Sequence, residues 1–249
     1  MRYVEKHFDA TAVIQHEYEL ASVNLDETSL LKRKETEMLD GNILYKKQIR
    51  STEYIPHWRD LQVQMCQDQG GVYCYCGQKL QFPDTQHYSV EHVQPRSKFP
   101  ELVGEYSNLL LSCHSSEVER TWLKETIHSK RERKRTLHCD EFKDDKELHY
   151  SPLQADCASH FSYKLNGEVK GSDNEAEEDI ETLNLNCHGL KERRRKQMLA
   201  YSFLTTEEML DIDSLKAYRQ AVEKRDANGN HSEFYFVIAD LLDQLLPAV

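Results

Sequence analysis

Two cysteines one residue apart, Cys74 and Cys76 in VYCYCGQKLQF (72–82), are followed at once by Gly77. Thiolates this close resemble one half of a metal site, and a zinc ion takes about four ligands. The next cysteines along the chain are Cys113, which closes SNLLLSC, and Cys139, which opens CDEFK. Four thiolates from Cys74, Cys76, Cys113 and Cys139 would complete a structural zinc site. His138 and His114 stand beside the last two cysteines and compete as ligands if one thiol is misplaced. The plain alternative is that Cys74 and Cys76 are ordinary buried thiols. Cys66, Cys157 and Cys187 read as core thiols, giving seven cysteines in all. An odd number argues against a disulfide framework.

Between the two cysteine pairs lie VEHVQPRSK, with Glu91 and His92 adjacent, and Asn108 at the head of NLLLSC. After Cys139 come Asp140 and, three residues on, Lys143. In this order the elements resemble the HNH endonuclease family, whose ββα-metal fold carries an acid–histidine pair on a strand, an Asn in an NL segment and two cysteine knuckles. MRYVEK, SPLQADC, FSYKLNGEV and IETLNLNCHGLKERR are similar to the PtuB-type branch, the nuclease partners of PtuA ATPases in Septu and some retron antiphage systems. The resemblance covers most of residues 70–200. This sequence departs from the pattern in three ways: its first knuckle is Cys-x-Cys, Ser116 stands where a compact member has its next cysteine, and Asp140 replaces the usual Asn or His.

The resemblance implies an α+β fold with a ββα-metal core and a phosphodiester hydrolase. It also implies partnership with a PtuA-like ATPase and, in some systems, a retron reverse transcriptase with its RNA–DNA product. His92 suits the general base, because an unperturbed imidazole is largely neutral at physiological pH and can take a proton from water. Glu91 and Asp140 are hard oxygen donors for catalytic Mg²⁺ or Mn²⁺. On a regular strand Glu91 and His92 point to opposite faces, so both serve one centre only if the strand bends. Asn108 would hydrogen-bond backbone across the site loop and orient His92, with Arg96 and Lys143 touching phosphate. The substrate could be DNA, or RNA including tRNA. A zinc-binding adaptor with no catalysis is the competing reading, and the change at position 140 speaks for it.

The elements that must position these residues fall into three parts. Residues 1–71 are expected to be mostly helical, with TSLLKRKETEML and PHWRDLQVQMCQDQ amphipathic and Gly70-Gly71 ending the second. Residues 72–171 hold the nuclease-like core, including short β-like runs in YSVEHV and FSYKLNGEV, where LNG reads as a hairpin turn. Residues 114–138 form a basic insertion within it. Residues 172–249 return to helix, with Ser172 or Asp173 as an N-cap.

The net charge is −11, low for a protein that holds nucleic acid by itself. Positive charge is gathered in KRERKR (130–135) and KERRRK (191–196). These are either solvated helix faces or phosphate-contacting surfaces. The start has no apolar signal-like stretch, and no run approaches a membrane span, so a cytoplasmic protein with reduced thiols is expected. Near the end, SEFYFVIADLLDQLLPAV places Phe234, Val237, Ile238, Leu241, Leu242, Leu245 and Leu246 on a helical stripe. That stripe either closes on the chain's own core or offers part of itself to the ATPase.

Overall fold

A computed structural model describes residues 1–6, 58–99, 102–103, 105–201 and 211–247. The expected helix over TSLLKRKETEML lies outside the described residues. The described part is α+β, with helices surrounding two small antiparallel sheets. No described helix is long and apolar enough to cross a membrane.

The first helix, α1 (Trp58–Asp68), buries Leu61 and Met65 four residues apart, as a one-faced helix must. It ends where the amide of Gly71 donates to the Cys66 carbonyl at 3.0 Å, with Gly70 and Gly71 at φ +61° and +69°. Glycine is the residue that takes this left-handed closure without strain.

The chain then makes the tight turn that carries Cys74 and Cys76. Beyond it β1 (Tyr88–His92) pairs antiparallel with β2 (Leu109–Cys113), from Tyr88 opposite Cys113 to His92 opposite Leu109. All five residues of β2 are buried, so the hairpin is the centre of this half, with α1 packed against it. The insertion folds as two helices, α2 (Glu117–Thr126) and α3 (Lys130–Thr136), and neither has a buried residue. Ser116 caps α2 in a capping box with Glu119. A single turn of helix, α4 (Asp140–Lys143), returns the chain to the hairpin.

The second half is built differently. β3 (Phe161–Tyr163) and β4 (Val169–Gly171) form a hairpin through the expected LNG turn, with Gly167 at φ +82°. Asp173 rather than Ser172 caps α5 (Asn174–Thr182), accepting from the Ala176 amide at 2.8 Å. Then follow α6 (His188–Met198), α7 (Ile212–Glu223) and α8 (Tyr235–Leu245). β4 packs on α5, and β3 packs on α8. The β3–β4 hairpin thus packs with helices on the far side of the expected boundary at residue 171.

α8 lies against α7 and β3 and buries seven of its eleven residues, from Tyr235 to Leu242. Most of the apolar stripe is thus this chain's own core, and Leu245 is its large exposed member. One arginine of KERRRK is structural: Arg194 is 1% exposed and donates to the Gly167 and Leu185 carbonyls at 2.9 and 2.8 Å. Its run is neither a uniformly solvated face nor a uniform phosphate surface.

Candidate metal centre and adjoining carboxylate cluster

Cys76, Cys113, His138 and Cys139 bring one ligand atom each to within 4.8 Å of one another. The His138 Nδ1 atom lies 3.3 Å from the Cys113 sulfur and 3.2 Å from that of Cys139. A tetrahedral zinc with Zn–S of about 2.3 Å and Zn–N of about 2.0–2.1 Å sets its donors ~3.5–3.8 Å apart, so three thiols and an imidazole fit such an ion. Burial opposes a charge on Cys76, but hydrogen bonds from the Cys113 and Cys139 sulfurs outweigh it and hold that thiol well below its ordinary pKa. Burial also lowers the pKa of His138, leaving the neutral imidazole that a metal requires.

Cys74 was expected in this set, and its sulfur is not part of the group. The reason is local. In an extended chain residues two apart share a face, but here the chain turns, closed by the Gly77 amide on the Tyr73 carbonyl at 3.1 Å. Gly77 is needed in that turn: its φ is +77°, and a Cβ there would sit 2.4 Å from the Phe236 ring. The turn aims Cys76 at the group, while the Cys74 amide is held on the Leu111 carbonyl at 3.3 Å. Burial raises the Cys74 thiol pKa well above its usual value, as suits a neutral core thiol. His138 takes the fourth place. The other competitor, His114, lies 3.8 Å from Glu141 instead. Cys66, Cys157 and Cys187 are also outside the group.

The ligand loop is strained and firmly held. Cys139 has φ +57°, a region costly for a residue with a side chain. Its amide donates to the Leu183 carbonyl at 2.8 Å, and Asn184 donates to the Leu137 carbonyl at 2.7 Å. Cys113 and Cys139 stand at the two ends of the α2–α3 insertion, so an ion at this group would close its neck. Glu141 reinforces the closure by accepting from the Ser115 amide at 2.8 Å and pairing with Arg120 on α2.

Directly beside the metal group lies a buried polar cluster. Alternation along β1 sends Ser89 and Glu91 to the α4 side. Ser89 donates to Asp140 at 2.5 Å, and Glu91 takes hydrogen bonds from Tyr75 and Lys143, each at 2.8 Å. Burial, then the neighbouring charge of Asp140 and a hydrogen bond with it, pushes the Glu91 carboxyl up to about 8, against the pull of Lys143. Two carboxyl groups are thereby brought together at the junction of hairpin and helix. They are hard donors that fit a divalent cation.

Lys143, expected at a phosphate, is 1% exposed and spends its charge on Glu91. His92 goes the other way, as strict alternation requires. It is 4% exposed, and its Nε2 lies 3.0 Å from the Val103 carbonyl. Burial, followed by the charge of Arg96, lowers its pKa to about 3. The side chain of Asn108 bridges the loop after β1, accepting from the Gln94 amide at 2.7 Å and donating to the Gln94 carbonyl at 3.1 Å. The carbonyl of Asn108 takes the Val93 amide at 3.0 Å. Arg96, half-buried, lines a cleft with Asp140.

Sequence reasoning missed Tyr75, Ser89 and Glu141. A signal existed for Ser89, two residues before Glu91 on a strand and so on its face. Tyr75 and Glu141 reach their partners only through the turn and through α4, which no spacing announces. No protein-family model and no curated protein matches this sequence.

Proposed function

We propose that this chain is a metal-dependent HNH-type endonuclease, the nuclease subunit of an antiphage complex that works with a PtuA-like ATPase. The observation that supports this most is the meeting of Glu91 and Asp140 where a β-hairpin joins a short helix, with the cysteine–histidine group beside it; His92, next in the strand, faces away from that pair. In this reading the hairpin and α4 form a ββα unit. The zinc-type group is structural: all of its ligand positions come from the protein, and closed sites of this kind stabilise folding rather than act on substrate.

Glu91 and Asp140 would hold a catalytic Mg²⁺ or Mn²⁺, which when bound supplies charge neutralisation at phosphorus and at the departing oxygen. His92 would be the general base; burial keeps it neutral but also weakens it as a base, and its Nε2 lies on the Val103 carbonyl. Asn108 holds the loop that follows His92 through Gln94. Lys143 acts as an internal counter-charge that keeps the carboxyls tolerable in the core. DNA and RNA, tRNA included, both remain within this reaction class.

One observation favours the second reading, a zinc-binding adaptor without catalysis. Glu91 is already occupied by the Lys143 ammonium, and His92 is almost wholly buried. The two readings separate in one assay: purified chain, alone and with its ATPase partner, incubated with plasmid or total RNA and Mg²⁺ or Mn²⁺. Metal-dependent cleavage that His92→Ala abolishes supports the nuclease. Absence of cleavage under every combination supports the adaptor.

A further inference from the structure

Beside Asp140 a cleft of about 680 Å³ opens between the α2–α3 insertion and α4. Arg120 and Lys124 on α2, Arg133 on α3 and Arg96 after β1 contribute cations to it. Asp140 and Glu141 on α4, with Asp144 and Asp145 beyond, contribute carboxylates, and Leu123 and Leu137 add apolar surface. The insertion that supplies most of the cations holds seven basic and four acidic residues between positions 114 and 138, in a chain whose net charge is −11. The insertion is thus net positive in a net acidic chain, and the carboxylates of the cleft lie on α4 and just beyond it.

We propose that this cleft binds an unpaired nucleic-acid strand. A phosphodiester backbone would lie along Lys124 and Arg96, with Arg133, one guanidinium nitrogen of which donates to the Ile127 and His128 carbonyls, at its edge, and a base would rest against Leu123 and Leu137. The inference rests on the nuclease reading for its orientation toward Asp140. Three features lead to it. Phosphate affinity comes from Lys and Arg contacts, and the four cations of the opening offset its four carboxylates, with three of the cations on the insertion and the carboxylates on and beyond α4. Pockets of about 300–1,000 Å³ suit ligands of nucleotide size, so this cleft takes one or two nucleotides of a strand and not the body of a duplex. Leu123 and Leu137 give a base an apolar seat that a duplex, with its bases stacked inside, would not use. Arg120 is partly committed to Glu141, but that pair is exposed on the arginine side and exposed pairs are weak, so a phosphate can compete for it.

The test uses the full-length chain carrying His92→Ala, to prevent cleavage, with fluorescently labelled single-stranded DNA, single-stranded RNA and duplex DNA. Binding is followed by anisotropy across a salt series. Lys124 is exposed on α2, so Lys124→Glu should leave the fold intact. It is expected to weaken single-strand binding about tenfold or more and to lower the salt slope by about one, the signature of a lost phosphate contact. Lys170→Glu, an exposed lysine on β4 in the other half, should bind as the parent does. The two single strands distinguish the sources of the same backbone chemistry.

Equal binding by Lys124→Glu and Lys170→Glu overturns the proposal, as does tighter binding of duplex than of either single strand, and cleavage by the chain with native His92 would leave the nuclease reading standing in both cases. No binding of any strand also overturns it. A chain that cleaves nothing yet holds single strands through Lys124 removes the nuclease reading alone.

Discussion

The two halves of this molecule are held together by different means. The second half, β3–β4 with α5–α8, is an apolar core: Phe234, Val237, Ile238 and Leu242 are at most 1% exposed. The first half has its buried hairpin, but what it adds for chemistry is attached otherwise. α2 and α3 bury nothing, and α4 is one turn long. They meet the hairpin at three cysteines and a histidine that could hold a metal, at Glu141 and at the polar cluster around Glu91. The lesson is that an insertion too polar to hold itself can be fixed by cross-links at its neck, leaving its faces free for a ligand.

The largest expected effect follows from breaking those cross-links. Structural zinc binding is worth on the order of 10 kcal/mol in small domains, more than a typical domain's whole stability. Cys139→Ser, or strong chelation, should release the ion and expose amides of residues 109–143 to hydrogen exchange. Amides of α5 and α8 should stay protected, apart from those near Leu183 that contact the ligand loop. Uniform loss of protection in both halves would mean the two are one cooperative unit.

Next in size, Ile238→Ala in α8 should cost about 2–5 kcal/mol, the range for truncating a fully buried aliphatic side chain. It should leave the zinc content at the parent level, checked by metal analysis beside a denaturation curve. A fall in zinc content would show that the apolar half supports the metal half. On the nuclease reading His92→Ala should reduce cleavage by about a hundredfold or more, as for a lost general base, and because the side chain is buried on the Val103 carbonyl it should also lower the melting temperature. Equal cleavage rates in parent and variant would remove His92 from the reaction.

Much of the first half was legible in the chain. Cys76, Cys113 and Cys139 stand out because thiols flanking a turn glycine and a short acidic helix suit metal ligation. β1 could be read from YSVEH, and the Gly70-Gly71 stop from glycine's access to positive φ. The fourth ligand was legible only as an alternative, His138 beside Cys139, because a turn over residues 73–77 cancels the alternation that Cys-x-Cys suggests. Only the fold brings His138 round to take the place of Cys74. Lys143 also misled: a lysine in a charged stretch reads as exposed, and its burial depends on Glu91 approaching from another strand. In the second half helix periodicity and the LNG turn carried over directly. Arg194 did not, since nothing in a run of five basic residues says which one turns inward.

The smallest predicted effect lies at the seam. The His231 amide donates to the Gly70 carbonyl at 2.7 Å and its ring stacks on Tyr235, joining the α1 stop to α8. Burial, then the charge of Arg225, holds its pKa down to about 4, against about 6.5 for a free imidazole. The unfolded chain therefore takes this proton first as pH falls. The contact's contribution is complete above about pH 6.5 and declines as pH drops toward 4. His231→Gln should flatten that part of the stability–pH curve, read from melting temperatures. An unchanged curve would place the pH dependence elsewhere.

The central claim is that a zinc-type ion is held by three sulfurs and one nitrogen, with Cys74 standing apart. X-ray absorption at the zinc edge of the purified chain addresses it directly. The prediction is three sulfurs at about 2.3 Å and one imidazole nitrogen at about 2.0–2.1 Å, unchanged in Cys74→Ser. A shell of four sulfurs, or a shell that loses one sulfur in Cys74→Ser, would contradict it.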